Sequence, residues 1–366
     1  MKTNTTNTHA KPSAPQTPVK AKRLKLGIDV HADSYRVVRQ FDNATPQPAQ
    51  KFTPKAFLEW ARRQLELADE VHSCYEAGPF GYKLHRELVQ LGICNVVIRP
   101  QDWDQHGRRV KTDKTDALAM VLHLAQYIDG NRKALAVVTV PTEAQELARA
   151  QSRQREQFLR HRLRLEAQGR STLLYFGYRI RGRWWQPKQW ARLQVEAAPE
   201  VYALLVPVRE LLLVAHAKAE AGAAQLERQA TAQPKGVGGM SSQIMEREIL
   251  DWNRFTNRRQ VASITGLCPG VHATGDRAYY GPITRHGNQR LRTALIEMAW
   301  RVVRYQPDYL GLKRWGKVLL SASPGNGAKQ KAIVALARRL AIDLWRLHTK
   351  RTTAEQLGLK LNAPKA

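Results

Sequence analysis

L-G-I-D-V-H, residues 26–31, closes an apolar run with a carboxylate, and the reading of the fold starts there. Residues 24–30 read as a strand, and 35–41 as a second strand after a polar turn. Phe52 closes a third. A helix is predicted from about 54 to 67, with Phe57, Leu58, Ala61 and Leu65 on one face. C-Y-E-A-G (74–78) ends a strand over 71–76 that Gly78-Pro79 breaks. A helix over 82–91 stops at Gly92, and a strand over 94–98 stops at Pro100. K-T-D-K-T-D-A (111–117) then opens a helix over 113–127. Strands that lead, then alternate with helices, predict an α/β domain over 24–135.

Four acids recur in these stretches: Asp29, Glu76, Asp113 and Asp116. Asp29 and Glu76 end strands, and Asp113 and Asp116 are spaced i, i+3 on one helical face. Carboxylates converging from different elements are what a two-metal phosphodiester site requires. All-oxygen donors select Mg²⁺, with Mn²⁺ an alternative, over zinc. Taken singly, each acid reads equally well as a strand-end turn residue or a helix cap. Together they mark one edge of the sheet. His31 and His72 nearby read as ordinary histidines.

The 366 residues suit two or three domains, and 59 Lys and Arg against 31 Asp and Glu give a formal charge of +28. That excess predicts a polyanionic partner, nucleic acid first. No apolar run approaches the roughly 20 residues that span a bilayer, so a membrane is not an expected partner and the expected location is cytoplasmic, with nucleic acid. Cys74, Cys94 and Cys268 form no C-x-x-C pair. They read as reduced core residues rather than zinc ligands or disulfides. Residues 1–23 read as a disordered basic tail without a signal peptide, and 351–366 as a second basic tail.

Beyond 135 the pattern becomes helical. Long helices over 142–168 and 200–229, the second interrupted by Pro207, predict an antiparallel coiled-coil arm over 136–232. Between them lies 170–192, and from Arg149 to Arg192 there are twelve basic residues against two acidic ones. Arg179, Arg181, Arg183 and Lys188 interleave with Trp184, Trp185, Trp190, Tyr175 and Tyr178. Aromatics among cations suit unpaired bases and phosphates; the alternative is that the aromatics form a small core at the arm's tip. P-K-G-V-G-G (234–239) has the look of a helix-hairpin-helix turn whose N–H groups meet phosphate. Helices over 260–266, to about 305, and over 327–347 predict a helical domain over 233–350. Within it, Gly275, Arg277, Arg285, Asn288, Arg290 and Arg292 are candidate nucleic-acid contacts, or a solvated basic face.

These motifs together resemble a known family. G-I-D-V-H, Y-E-A-G, K-T-D-x-x-D-A and a late block G-L-x-P…T-G…G-x-I-T-x-x-G-N-x-x-L-R are similar to the DEDD transposases of the insertion sequence 110 family, in its 1111 subgroup, the bridge-RNA-guided recombinases. The resemblance covers 24–130 and 234–305. It implies a RuvC-like, RNase-H-type first domain with Asp29, Glu76, Asp113 and Asp116 as ligands of two Mg²⁺ ions. It implies a serine nucleophile that joins covalently to DNA, a noncoding guide RNA pairing with donor and target DNA, and a homo-oligomer, dimer or tetramer. This chain departs from the pattern at one point. Ala273-Thr274-Gly275 places a threonine where the family has serine. Thr274 then stands as the expected nucleophile, with Ser263, Thr284 and Ser241 as other hydroxyls. A hydrolytic junction nuclease and an inactive transposase-derived nucleic-acid-binding protein remain the alternatives.

Overall fold

Leu24, Leu26 and Ile28 alternate with Lys25, Gly27 and Asp29 along β1 (Ala21–Val30), and the two sets serve opposite faces of a sheet. The computed structural model describes residues 20–101, 103, 113–231, 233–274, 277–321, 325 and 327–362, apart from the side chains of 113, 114, 272 and 278. The chain divides at Val140/Pro141 into two compact units.

The first unit runs β1, β2 (Tyr35–Phe41), β3 (Gln50–Phe52), α1 (Pro54–Gln64), β4 (Ala68–Glu76), α2 (Lys83–Leu91), β5 (Cys94–Ile98) and α3 (Asp113–Ile128). The five strands lie in the order β3-β2-β1-β4-β5. β1–β2 and β2–β3 are antiparallel, β1–β4 and β4–β5 parallel. On one face Leu24, Leu26, Ile28, Val71 and Tyr75 pack with Phe57 and Ala61 of α1 and Leu84 and Leu88 of α2. Each such buried aliphatic contributes roughly 1.5–3 kcal/mol. Thr53 caps α1, and Gly92, at φ 97°, ends α2.

The opposite face carries α3, and Gly27 sets how closely it lies. A Cβ at Gly27 would sit 2.3 Å from the Ala117 carbonyl oxygen and 2.7 Å from the Val121 nitrogen. Beside Gly27, Cys74 donates its thiol to the Met120 carbonyl at 3.5 Å. Val38, on the other flank, packs with Ala117 and Val121. Gly27→Val must push α3 off the sheet. It is expected to destabilise the first unit by about 1–3 kcal/mol, read as a lower urea midpoint, whereas an unchanged midpoint would mean that α3 does not pack here.

The second unit begins with α4 (Glu143–Tyr175), which opens on a capping box between Thr142 and Gln145. α5 (Pro187–Glu196) and α6 (Pro199–Arg228) follow. The buried residues of α6, Val201, Leu205, Leu212, Ala215, Ala219 and Leu226, keep a heptad spacing. Arg155 of α4 packs at Gly222, and Leu173 clusters with Leu205 and Leu212, so the two helices run antiparallel, as expected. α4 extends past the predicted end at 168, and α5 lies between the two predicted helices, where the sequence predicted no element.

α7 (Gly239–Ile249), α8 (Arg258–Thr265), β6 (Pro269–Thr274), β7 (Arg277–Ile283), α9 (Gln289–Tyr305), α10 (Gly316–Leu320) and α11 (Ala328–His348) complete the unit. The antiparallel β6–β7 pair corrects the all-helical expectation. Its valine, tyrosines and isoleucine suit extended backbone, and its glycines and prolines disfavour helix. Residues 351–362, read as a basic tail, pack onto the second unit. Ala354, Leu357 and Leu359 are buried in the core of α7, α9 and α11, and Leu361 bridges to Pro234. Cys94 is exposed rather than buried, because it opens the edge strand β5; Cys74 is buried and Cys268 intermediate. Among the described residues no helix is long and apolar enough to cross a membrane.

Candidate active site

Parallel register brings two of the four predicted acids to one place. Gly27 pairs with Cys74 and Ile28 with Tyr75, so Asp29 and Glu76 each stand one residue beyond the last paired position. Asp29 is two residues past Gly27, and Glu76 two past Cys74. Both therefore lie on the face that α3 covers. Adjacent strands lie about 4.8 Å apart, so the two carboxylates are neighbours. Asp116 immediately precedes Ala117, the residue against Gly27, in the first turn of α3. Asp113 opens that helix, and its side chain lies outside the described residues.

Each strand-end acid also has protein partners. His31 Nε2 lies 3.1 Å from Asp29 Oδ2. Glu76 Oε1 accepts the Trp103 indole N–H at 2.7 Å and the Gln101 amide at 3.2 Å. Such bonds fix a carboxylate's orientation. His72 pairs with Glu70 at 3.0 Å and takes no part in this group. The donor set is all carboxylate and fits a hard divalent cation. Among the described residues, no three His, Cys, Asp or Glu side chains already form a metal cage.

Thr274 belongs to the second unit. It is the last residue of β6, exposed, and pairs with Arg277 across a two-residue connection, 275–276, that lies outside the described residues. Gly275 is thus not described. Among the other hydroxyls, Ser241 is buried and accepts a hydrogen bond from Arg301, which bars it from attacking a substrate. Ser263 and Thr284 are exposed, on α8 and just after β7.

The candidate contacts in 285–292 divide. Arg277 and Arg285 are exposed. Asn288 caps α9 and donates to Glu248 Oε2 at 2.7 Å. Arg290 pairs with Glu156, and Arg292 donates to the Thr265 and Arg285 carbonyls. These three brace the block. Gly287 presses against Gly266, where a Cβ would lie 2.2 Å from the Gly266 nitrogen.

The sequence reading did not single out Glu248. It is buried, and Arg153 grips it with bonds of 2.9 and 2.8 Å. Burial pushes its pKa up, but the hydrogen bonds from Arg153 and Asn288 outweigh that, and the net shift is downward. A lowered carboxylate pKa stabilises the fold above the unfolded-state value, and that stability is lost as pH falls through the folded value. Glu248→Ala is expected to cost about 2 kcal/mol, short of a fully buried pair because Arg153 is 38% exposed. It should also flatten the acid limb of a stability–pH curve, and an unaltered limb would contradict the assignment.

At the arm's tip, Trp184 and Trp185 are buried, which corrects their assignment as base-stacking residues. Trp184 lies over Gly169, where a Cβ would meet the ring at 2.0 Å, and donates to the Glu166 carbonyl at 2.9 Å. Large indoles supply most of the apolar area available to so small a core. Arg179, Arg181, Arg183 and Lys188 are exposed, and Tyr175 is 85% exposed. In the expected phosphate turn at 234–239, two amides are already taken: Lys235 donates to the Lys360 carbonyl at 2.8 Å and Val237 to the Pro234 carbonyl at 3.0 Å. Glu227 accepts the Met240 amide just beyond it at 3.0 Å.

With this geometry in hand, sequence comparison is informative. Residues 229–311 match the profile described as "Transposase IS116/IS110/IS902 family". "Putative transposase y4rJ" of Sinorhizobium fredii is 31% identical over 74% of this chain and 75% of its own length. "Probable family 20 transposase" of Pseudomonas aeruginosa is 32% identical over 73% and 80% respectively. "Transposase for insertion sequence element IS1111A" of Coxiella burnetii is 26% identical over 74% and 75%.

Proposed function

Since the chain belongs to the IS116/IS110/IS902 family of transposases, we propose that it moves an insertion element by breaking and rejoining DNA through a hydroxyl nucleophile and a carboxylate-held metal centre. The observation that carries this reading is the placement of Asp29 and Glu76 on the α3 face, at the ends of adjacent parallel strands. The strand order β3-β2-β1-β4-β5 supports an RNase-H-like, RuvC-like first domain.

Asp29, Glu76, Asp113 and Asp116 would hold two Mg²⁺ ions. Bound there, the ions would supply charge stabilisation at the scissile phosphate. The Thr274 hydroxyl oxygen attacks phosphorus and loses its proton. The bond from phosphorus to one deoxyribose oxygen breaks, and that oxygen leaves as a free hydroxyl. A hydroxyl from another strand then reverses the step and releases Thr274. One phosphodiester is exchanged for another at each stage, so no external energy source is needed. Arg277, directly across from Thr274, is suited to hold the phosphate.

A noncoding guide RNA fits the exposed cations of the arm tip, Arg179, Arg181, Arg183 and Lys188. The likeness to the Coxiella protein favours the 1111 subgroup. Strand exchange between duplexes calls for more than one protomer, and Leu204, Leu211 and Val214, exposed along α6, suit self-association. The test supplies donor and target plasmids with the element's native flanks, with and without transcription of the noncoding flank. Junctions are expected only when protein and transcript are both present. No junctions with both would overturn the reading, and junctions without the transcript would overturn RNA guidance.

A further inference from the structure

Helix N-termini carry partial positive charge and favour acidic first turns, by about 0.3–1 kcal/mol per charge. Several helices of the second unit do the reverse, and two of them meet at one groove. α8 opens on Arg258 and Arg259, and α11 on Ala328-Lys329-Gln330-Lys331, with no acid in either first turn. α11 has no side-chain cap. Both ends open on one cavity of about 1020 Å³, walled on a third side by the β6–β7 pair. Arg258, Arg259, Arg314, Lys331, Arg338 and Arg339 line it, and among the described residues no acidic side chain does. Asp343, fully buried beneath, pairs with Arg339 at 2.7 Å and also holds the Tyr309 hydroxyl and Arg346. The other five lining cations pair with no acid within the groove's own lining.

Cations gathered at the positive ends of two helices repel one another and the helices. The fold tolerates this, and an anion in the groove would relieve it. Tyr280, 74% exposed, and Trp315, under the Arg314 guanidinium at 5.6 Å, add ring faces to the walls. A groove that alternates cations with aromatics suits a phosphodiester strand whose bases stack, rather than an acidic peptide.

We propose that the groove between α8, α11 and the β6–β7 pair is a sequence-independent binding site for an unpaired nucleic-acid strand. Arg258, Arg259, Lys331 and Arg338 hold phosphates, and Tyr280 stacks a base. This site is separate from the arm tip but shares the β6–β7 pair with Thr274, and it rests on the reading that nucleic acid is the partner.

The test measures binding of the full chain to a fluorescent single-stranded DNA, the same sequence as RNA, and the duplex, each at several salt concentrations. One variant carries Arg258→Gln, Arg259→Gln, Lys331→Gln and Arg338→Gln. A matched control carries Lys51→Gln, Lys55→Gln, Arg62→Gln and Arg63→Gln on the first unit. A third, with Arg258→Lys, Arg259→Lys and Arg338→Lys, keeps the charge and guards against misfolding. The groove variant is expected to lower the slope of log K against log salt for the single strands by about 2–3, at about 0.7 per phosphate contact. The control and the lysine variant should hold the wild-type slope. Tyr280→Ala should weaken single strands about fivefold or more and leave the duplex unchanged, at about 1–3 kcal/mol per stacked base. Equal losses in groove and control variants would overturn the site. So would competition by polyglutamate at the same charge concentration, or a loss confined to the duplex. Wild type that binds no nucleic acid would overturn both the site and the reading beneath it.

Discussion

Thr274→Ala is expected to abolish DNA joining, with a loss on the order of 10⁶-fold, the scale seen when a nucleophile is removed from an enzyme. Thr274 is exposed at the end of β6, and its side chain belongs to no buried cluster. The substitution therefore removes a hydroxyl and a methyl group from the surface, where stability changes stay within about 0.5 kcal/mol. Loss of activity without loss of folding separates chemistry from structure. Thr274→Ser keeps the hydroxyl and frees its χ1 rotation, so junctions should persist. Junctions only with serine would describe a copy one substitution from activity. Junctions with alanine would move the attack to Ser263, Thr284 or water.

Asp29→Asn comes next, with an expected drop of about 10²–10³-fold or more, the usual cost of losing one preorganised electrostatic contact at a transition state. The amide has the carboxylate's shape and can still meet His31, so β1 should be undisturbed. It carries no charge and is a poor ligand for a divalent ion. DNA affinity should hold or rise slightly, because the chain becomes one charge more positive. Junction formation and filter binding measured on one preparation distinguish this from a general binding defect. Equal losses in both would mean that Asp29 supports the fold or the DNA rather than the reaction.

Much of the first unit was legible because its elements are short and sharply punctuated. β2 and β5 fall on their predicted bounds, and Gly92 and Pro100 stop what they were expected to stop. The adjacent placement of Asp29 and Glu76 was legible for a related reason: period-two alternation in a parallel pair puts residues after matched positions on the same face. What sequence could not give was the role of glycine. Gly27 carries no pattern of its own, yet it decides how closely α3, the helix of Asp113 and Asp116, approaches β1.

The second unit was harder. The buried residues of α4 include Ser152, Arg162 and Gly169, which hide its buried face from any hydropathy pattern. Trp184 and Trp185 are equally suited to a base and to a core, and only burial separates the two. Asn288 and Arg290 sit in a basic block, but their acidic partners, Glu248 and Glu156, are 40 and 134 residues away in sequence. A signal for the groove at α8 and α11 was present all along. Basic pairs open both helices where the dipole asks for acids.

The most direct measurement is to trap the joining step itself. Wild-type protein, the element's transcript and donor and target plasmids are quenched in denaturant during the reaction, and any protein–DNA adduct is digested and mapped by mass spectrometry. A nucleotide is expected on the peptide that contains Thr274. The adduct should be absent with Thr274→Ala and much reduced with Asp29→Asn. Junctions that form with no adduct, or with one on a different residue, would contradict it.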